Sequence, residues 1–208
     1  MTEQNSVRGT GSNGSLSEGE IVEAALRVVR TDGVAKLSMR RLSRELGVSP
    51  MAPYYYVADK SELLDLVAAA ALAGVHAPRM GTWQERLRNI IDQVDEKLRK
   101  HPGLGDLMIE QVLDKQIDIL AAVIEILFDA GFSERNALQA YATIHVFVFG
   151  RARTVKAPAL PPRDQLPAAV ARVLEHTAEM RPKHLYNFGV QTLIDGLEAQ
   201  LVRAQARQ

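Results

Sequence analysis

Arg40 has the chemistry to read a nucleic acid. A planar guanidinium can bond both acceptors of a guanine edge, a pairing worth about 1–3 kcal/mol of discrimination. Arg40 lies in a short predicted helix, Ser38–Leu46, stopped by Gly47; Gly47-Val48 then leads straight into a second short helix capped by Ser49-Pro50. That turn is too tight for a bundle hairpin. Leu42, Leu46 and Val48 supply apolar contacts to hold the two helices at a steep angle, which is the helix-turn-helix pattern. In that arrangement the second helix enters the major groove N-terminus first, so double-stranded DNA is the expected partner.

The chain carries 25 basic and 25 acidic residues, but Lys36, Arg40, Arg41, Arg44 and Lys60 face only Glu45 and Asp59 within 36–60. A local basic excess is drawn to the dense phosphate charge of a duplex. Ser38, Ser49, Tyr54 and Lys60 bring donors suited to phosphates, and such contacts set register without reading sequence. Arg41 and Pro50 belong to the same surface. Met51, Ala52, Tyr55 and Tyr56 would face base edges or the groove wall. Because 49–56 holds no Arg, Asn or Gln, it predicts thymine-methyl contacts and tyrosine hydroxyl bonds, with Arg40 as the main source of specificity. Pro53 falls near the fourth helical position, where proline begins to remove a real hydrogen bond. Among the three tyrosines, Tyr54 is expected to be partly packed.

Other chemistries find little support. The chain has no cysteine, and its five histidines never fall at the i, i+4 spacing of a helical zinc pair, so no metal and no cofactor are expected. No strained nucleophile elbow or oxyanion loop is legible, which argues against an enzyme. Gly9-Thr-Gly11-Ser-Asn-Gly14 has the glycine spacing of a dinucleotide-binding turn but no buried strand before it.

The elements that position Arg40 and its neighbours read as helices throughout, an all-α fold. With 208 residues, 47% of them hydrophobic and 24% charged, the chain suits a globular core and excludes disordered or collagen-like classes. No apolar run approaches a membrane span, and the first residues lack a signal-peptide pattern, so a cytoplasmic protein is expected. Residues 1–16 form a polar, flexible tail; Arg8 within it is an idle solvated side chain or a minor-groove arm. Ser17-Glu-Gly-Glu20 is a capping box opening a helix to Asp32-Gly33, Asp59-Lys-Ser-Glu62 a second opening one to about His76, and Thr82 starts a third ended by His101-Pro102-Gly103. Further helices are predicted over about 104–112, 114–130, 133–153, 164–179 and 184–205, with a Pro/Ala loop at 156–163. The predicted organisation is a DNA-binding domain over 17–62 and a ligand-binding and dimerisation domain over 63–208.

About 145 residues beyond a DNA reader need a purpose. Sparse polar or aromatic side chains, His76, Trp83, Gln111, Tyr141 and His145, sit beside Ile90, Val94, Met108, Leu120, Val123 and Leu138. A mostly apolar cavity with a few polar groups is how small-molecule sites look, though the same residues could simply pack the core. Val170, Val173, Leu174, Leu185, Phe188, Leu193, Ile194, Leu197 and Leu201 are likewise candidates for internal core.

Leu37-Ser-Met-Arg-Arg-Leu-Ser-Arg-Glu-Leu-Gly-Val-Ser-Pro-Met-Ala-Pro-Tyr-Tyr-Tyr-Val-Ala-Asp-Lys60-Ser-Glu-Leu-Leu64 resembles the DNA-binding signature of TetR-family transcriptional regulators. Trp83-Gln-Glu-Arg-Leu-Arg-Asn89, Gly131-Phe-Ser133, Asn136-Ala-Leu138 and the Phe188-Gly189…Gly196-Leu-Glu198 stretch are similar to the C-terminal domain of the tetracycline repressors. The resemblance implies that Ser38, Ser49, Tyr54 and Lys60 clamp the DNA backbone. It also implies that the last two helices and part of 133–153 form a four-helix homodimer interface, and hence a palindromic operator. Val170 and Leu174 would then close the pocket from the partner chain. His76 matches a ligand-contacting histidine of those repressors, while their magnesium-binding histidine is Met108 here and a ligand-binding asparagine is Ile90. The effector implied is a more apolar, metal-free organic molecule that releases a repressor. The helix 59–76 would be the lever between effector and DNA, about 24 Å long. An all-helical enzyme and a non-specific DNA organiser remain the competing readings.

Overall fold

The computed structural model describes residues 16–108, 117–151, 162, 165–177 and 181–206, and every regular element among them is helical. The tail, Gln111 and all but Pro162 of the 156–163 loop lie outside the described residues.

Helix α1 spans Glu18–Asp32, and its capping box forms as the sequence predicts: Ser17 Oγ accepts from the Glu20 amide while the Glu20 carboxylate accepts from the Ser17 amide. Its inner face, Ile21, Ala24, Ala25, Val28 and Val29, is fully buried. A 3₁₀ turn, Val34–Lys36, leads to α2, Met39–Leu46, and α3 follows at Lys60–Leu72. Helix α1 packs on both α2 and α3. Leu37, Leu42, Val57, Leu63 and Val67 are buried with its inner face in one core.

The segment after the tight turn is not an α-helix but a single 3₁₀ turn, Ala52–Tyr55. Pro53 is the reason: it has no N–H to give the Ser49 carbonyl, and its ring would crowd that oxygen. The chain adopts i→i+3 bonds instead, from the Ala52 amide to the Ser49 carbonyl and from Tyr54 to Met51, both at 3.1 Å. Ser49 makes no side-chain cap on this turn. Helix α3 ends at Leu72, short of His76, after 13 residues. It is therefore about 20 Å long. The Asp59–Glu62 box is also only half reciprocal, since Glu62 accepts from the Ala58 amide (2.6 Å) instead of the Asp59 amide.

The second layer is built on α4, Trp83–Lys100, which opens with a complete Thr82–Glu85 capping box. Around it lie α5 (Leu104–Met108), α6 (Ile117–Asp129), α7 (Glu134–Arg151) and α9 (Pro182–Gln205); the short α8 (Ala168–Leu174) is exposed along most of its length. Helix α4 packs against α3, α6, α7 and α9. Polar ties fix it to α9: Tyr186 Oη donates to Asp92 at 2.5 Å and Arg88 donates to Asn187 at 3.0 Å. Burial and the neighbouring Asp92 push the Tyr186 phenol well above its ordinary range. Arg151 of α7 pairs with the buried Asp95 and lies over the Tyr186 ring. Ile194 and Leu197 are core, whereas Leu185 and Phe188 are exposed, Phe188 at 73%. No helix among the described residues is long and apolar enough to cross a membrane.

Candidate DNA interface and effector cavity

The N-terminal surface is organised by the turn at Gly47. Its φ of 68° is left-handed, which a glycine adopts without penalty, and the Val48 amide closes on the Ser43 carbonyl at 3.1 Å. The next segment is thereby thrown sharply off α2. Pro53 and Val57 anchor that segment in the core, while Met51 and Tyr55 stand 61% and 84% exposed. Tyr54 and Tyr56 are exposed to lesser degrees, so all three tyrosines reach solvent and proline takes the buried place.

Arg40 is exposed on α2, one helical turn from the exposed Arg44. Ser38 caps α2 by accepting from the Arg41 amide at 3.2 Å, which leaves its hydroxyl proton free to donate outward. Lys60 is exposed at the first residue of α3, and Ser49 and Pro50 are exposed beside the turn. Ala52 is half-buried. Arg41 departs from expectation. It turns inward and is held at 2.9 Å by both Asp32 and Glu45, and Glu45 also takes Arg27 at 3.3 Å. These bonds raise the Arg41 guanidinium above its ordinary pKa and hold the Glu45 carboxyl below its own. Arg41 therefore braces α2 against α1, with Nε given to Asp32 and Nη1 to Glu45. Arg44 belongs to the basic excess read from sequence but not to the expected contact residues; its spacing of four from Arg40 on one helix face was the available signal.

In the second layer, α4, α6 and α7 enclose a small cavity of about 30 Å³. Of the predicted ligand residues, Ile90, Val94, Val123, Tyr141 and His145 converge on it. Ile91, Ile119, Ile144, Val148 and Phe149 complete the wall. These were missed, although Tyr141, His145 and Phe149 recur at i, i+4, i+8 and form one aromatic stripe, with ring centroids 5.9 and 4.5 Å apart. Tyr141 is 4% exposed, and burial raises its phenol pKa. His145 Nε2 lies 3.1 Å from the Met108 carbonyl. Met108 is fully buried behind this wall and does not line the cavity.

The other predicted ligand residues lie elsewhere. His76 is exposed on the α3–α4 loop, with its amide on Gln93 Oε1 at 3.2 Å, because α3 ends four residues before it. Trp83 packs edge-on against Phe132 at 5.6 Å. Leu120 is half-buried away from the cavity, and Leu138 is 47% exposed. Val170 and Leu174 lie on α8 and do not reach the cavity within this chain. A separate groove of about 510 Å³ runs between α7 and α9, lined by Ala140, Thr143, Leu193 and Gly196.

Both halves of this geometry have known counterparts. Residues 21–67 match the bacterial regulatory proteins of the tetR family, and residues 76–201 match the tetracyclin repressor-like C-terminal domain. The tetracycline repressor protein class D of Escherichia coli is 28% identical over 199 residues, which cover 89% of this chain and 91% of that protein. Apo ActR from Streptomyces coelicolor has the same fold at a TM-score of 0.78 and 25% identity, covering 93% of this chain and all of that one. BioQ, known from Mycobacterium smegmatis, is seen on its natural double-stranded DNA operator; it matches at a TM-score of 0.65 and 26% identity, covering 88% of this chain and 98% of its own. With an exposed recognition turn held off α2 by Gly47, and both halves matched in order along the chain, the protein belongs to the TetR family of transcriptional regulators and carries the tetracycline-repressor type of C-terminal domain.

Proposed function

We propose that this regulator is a repressor that binds a palindromic operator as a two-fold dimer and lets go when a small, uncharged, largely apolar molecule enters the cavity between α4, α6 and α7. The observation that carries the DNA half is the exposure of Met51, Tyr55 and Arg40 on a unit whose aliphatic side chains Leu37, Leu42, Val57 and Leu63 are buried. Arg40 supplies guanine readout, Met51 and Ala52 supply methyl contacts, and Ser38, Ser49, Tyr54, Tyr56 and Lys60 hold phosphates. Arg44 joins them as a phosphate contact. BioQ on its operator supports this reading.

The ligand half rests on the cavity wall. Eight of its ten residues are apolar, the other two being Tyr141 and His145, and none is an Asp, Glu, Lys or Arg. A bound carboxylate or phosphate would have no cation to meet. Small-molecule sites usually need about 300–1,000 Å³, so the effector must part α4, α6 and α7 as it enters. That coupling is what an inducer requires: it shifts the population only as far as it prefers the opened state, by about 5 kcal/mol for a full switch. ActR seen with actinorhodin, at a TM-score of 0.71, supports an organic effector. Leu185, Phe188, Val146 and the α7–α9 groove supply the dimer face, and the protein works in the cytoplasm, where the chromosome is.

The test is selection of duplexes from a random pool by the full-length protein. The expected product is a palindrome with half-sites one helical turn, about 34–36 Å, or a multiple apart. Arg40→Ala should weaken binding to it by about tenfold to a hundredfold and binding to random duplex far less. Loss of all sequence preference as salt rises would support a non-specific DNA organiser instead. Turnover of a cavity-bound compound would support an enzyme.

A further inference from the structure

We propose that the turn after α4 is a strut that sets the angle of the helix-turn-helix unit, with Val34 and Pro102 as positioning residues for DNA binding; the proposal rests on the DNA-binding reading above. The Val34 amide donates to the Pro102 carbonyl at 3.1 Å, joining the 3₁₀ turn before α2 to the C-terminal turn of α4. Residues 33–34 and 101–104 are built for close approach. Gly33 and Gly103 both hold positive φ, 81° and 85°. A Cβ on Gly103 would lie 3.3 Å from Val34 Cβ, and one on Gly33 3.6 Å from the Pro102 oxygen. No L side chain fits either position without strain.

Both ends of the strut are stiff. On the C-terminal side, His101 is buried with Nδ1 2.8 Å from the Lys97 carbonyl, and the Leu104 amide bonds the His101 carbonyl at 3.1 Å. Leu104 is fully buried at the start of α5. On the N-terminal side the Leu37 amide closes on Val34 at 3.0 Å, Leu37 is fully buried, and Ser38 caps the helix that carries Arg40. Helix α3 is the covalent link between the two layers. A body held along one helix can still turn about it. A second attachment, well away in sequence and off that helix, removes the rotation. Positioning then matters for affinity, because a binding-competent fraction below one raises the apparent Kd in proportion.

Substitution can displace the strut from either side. Proline suits the first residue of a 3₁₀ turn, whose usual φ is near the proline value, and at Val34 its ring carbon would replace the amide hydrogen and press the Pro102 oxygen away. Val34→Ala keeps the amide and trims the side chain. Gly103→Ala displaces the strut from the other side, its methyl 3.3 Å from Val34 Cβ, without replacing any residue of the DNA-binding unit. The chain has no cysteine, so Glu23→Cys on the exposed face of α1 gives a single spin-label site per protomer. In the full-length dimer the label-to-label distance should be narrow for the parent and for Val34→Ala, and broad for Val34→Pro and Gly103→Ala. Affinity for the parent-selected operator should fall about fivefold per protomer in the latter two, the ratio given by the ~1 kcal/mol net value of one backbone hydrogen bond. Binding to random duplex should change less. A narrow distribution and operator affinity within twofold of the parent for both variants would overturn the proposal. So would a Val34→Ala variant as broad as Val34→Pro, since packing and not the hydrogen bond would then hold the angle. If the parent selects no duplex, the DNA-binding reading fails, while the distance comparison still decides whether the strut orients the unit.

Discussion

Replacing Tyr141 with phenylalanine separates a ligand-facing hydroxyl from a structural one by the sign of the stability change. The phenol is 4% exposed and its pKa is raised by desolvation. A hydroxyl bonded within the protein contributes about 0.5–1.5 kcal/mol net, so its removal would destabilise by that much. A hydroxyl kept for an effector, and not bonded within the protein, carries its desolvation as a cost of roughly 1–3 kcal/mol, part of which Tyr141→Phe should return. The ring itself, with its contact to His145 at 5.9 Å, is preserved. The expected result is a gain of about 0.5–1 kcal/mol, which in a chain of this size raises the melting temperature by roughly 1–4 °C. Urea unfolding and calorimetry, run at one fixed protomer concentration because a dimer's midpoint depends on it, measure the change. Release of operator by any neutral effector found in a screen should meanwhile need a higher effector concentration. A loss of 1 kcal/mol or more in Tyr141→Phe would refute the reasoning, because it would show that the hydroxyl already has its partner inside the fold.

Gly189→Ala should destabilise by about 1–3 kcal/mol, against the ~1 kcal/mol gain that alanine gives an ordinary helical glycine, because the new methyl would fall inside the Phe147 ring; thermal denaturation reads the sign. Phe188→Glu, on a side chain 73% exposed in the single chain, should shift the protein from dimer to monomer in sedimentation and abolish operator binding, while helix content stays unchanged. Lowering pH should weaken the α1–α2 brace. Arg41 holds the Glu45 carboxyl below its ordinary 4.5, so the stability it supplies is fully present above that value and is lost as pH falls through the depressed native one. Unfolding measured between pH 6 and 3 should show this slope, and Arg41→Met should flatten it.

The sequence by itself determined the helices and most of their ends. Capping boxes at Ser17 and Thr82 and the stop at Gly47 are local chemistry, satisfied within a few residues of chain, and each formed where its residues stood. The helix-turn-helix surface was legible for the same reason, since Arg40 and the 49–56 segment lie within one short stretch. Tertiary structure decided the rest. Arg41 and Arg40 are adjacent and chemically identical, yet Asp32 from another helix claims one and leaves the other outward. Pro53 was visible, but only packing showed that it is buried and that the turn around it is 3₁₀. The cavity joins α4, α6 and α7, so its members depend on how three helices are rotated against one another; periodicity marks an apolar face without naming what that face meets. His76 and Trp83 shared the right composition and failed on placement, because the end of α3 and the position of Phe132 are set by contacts that no local spacing records.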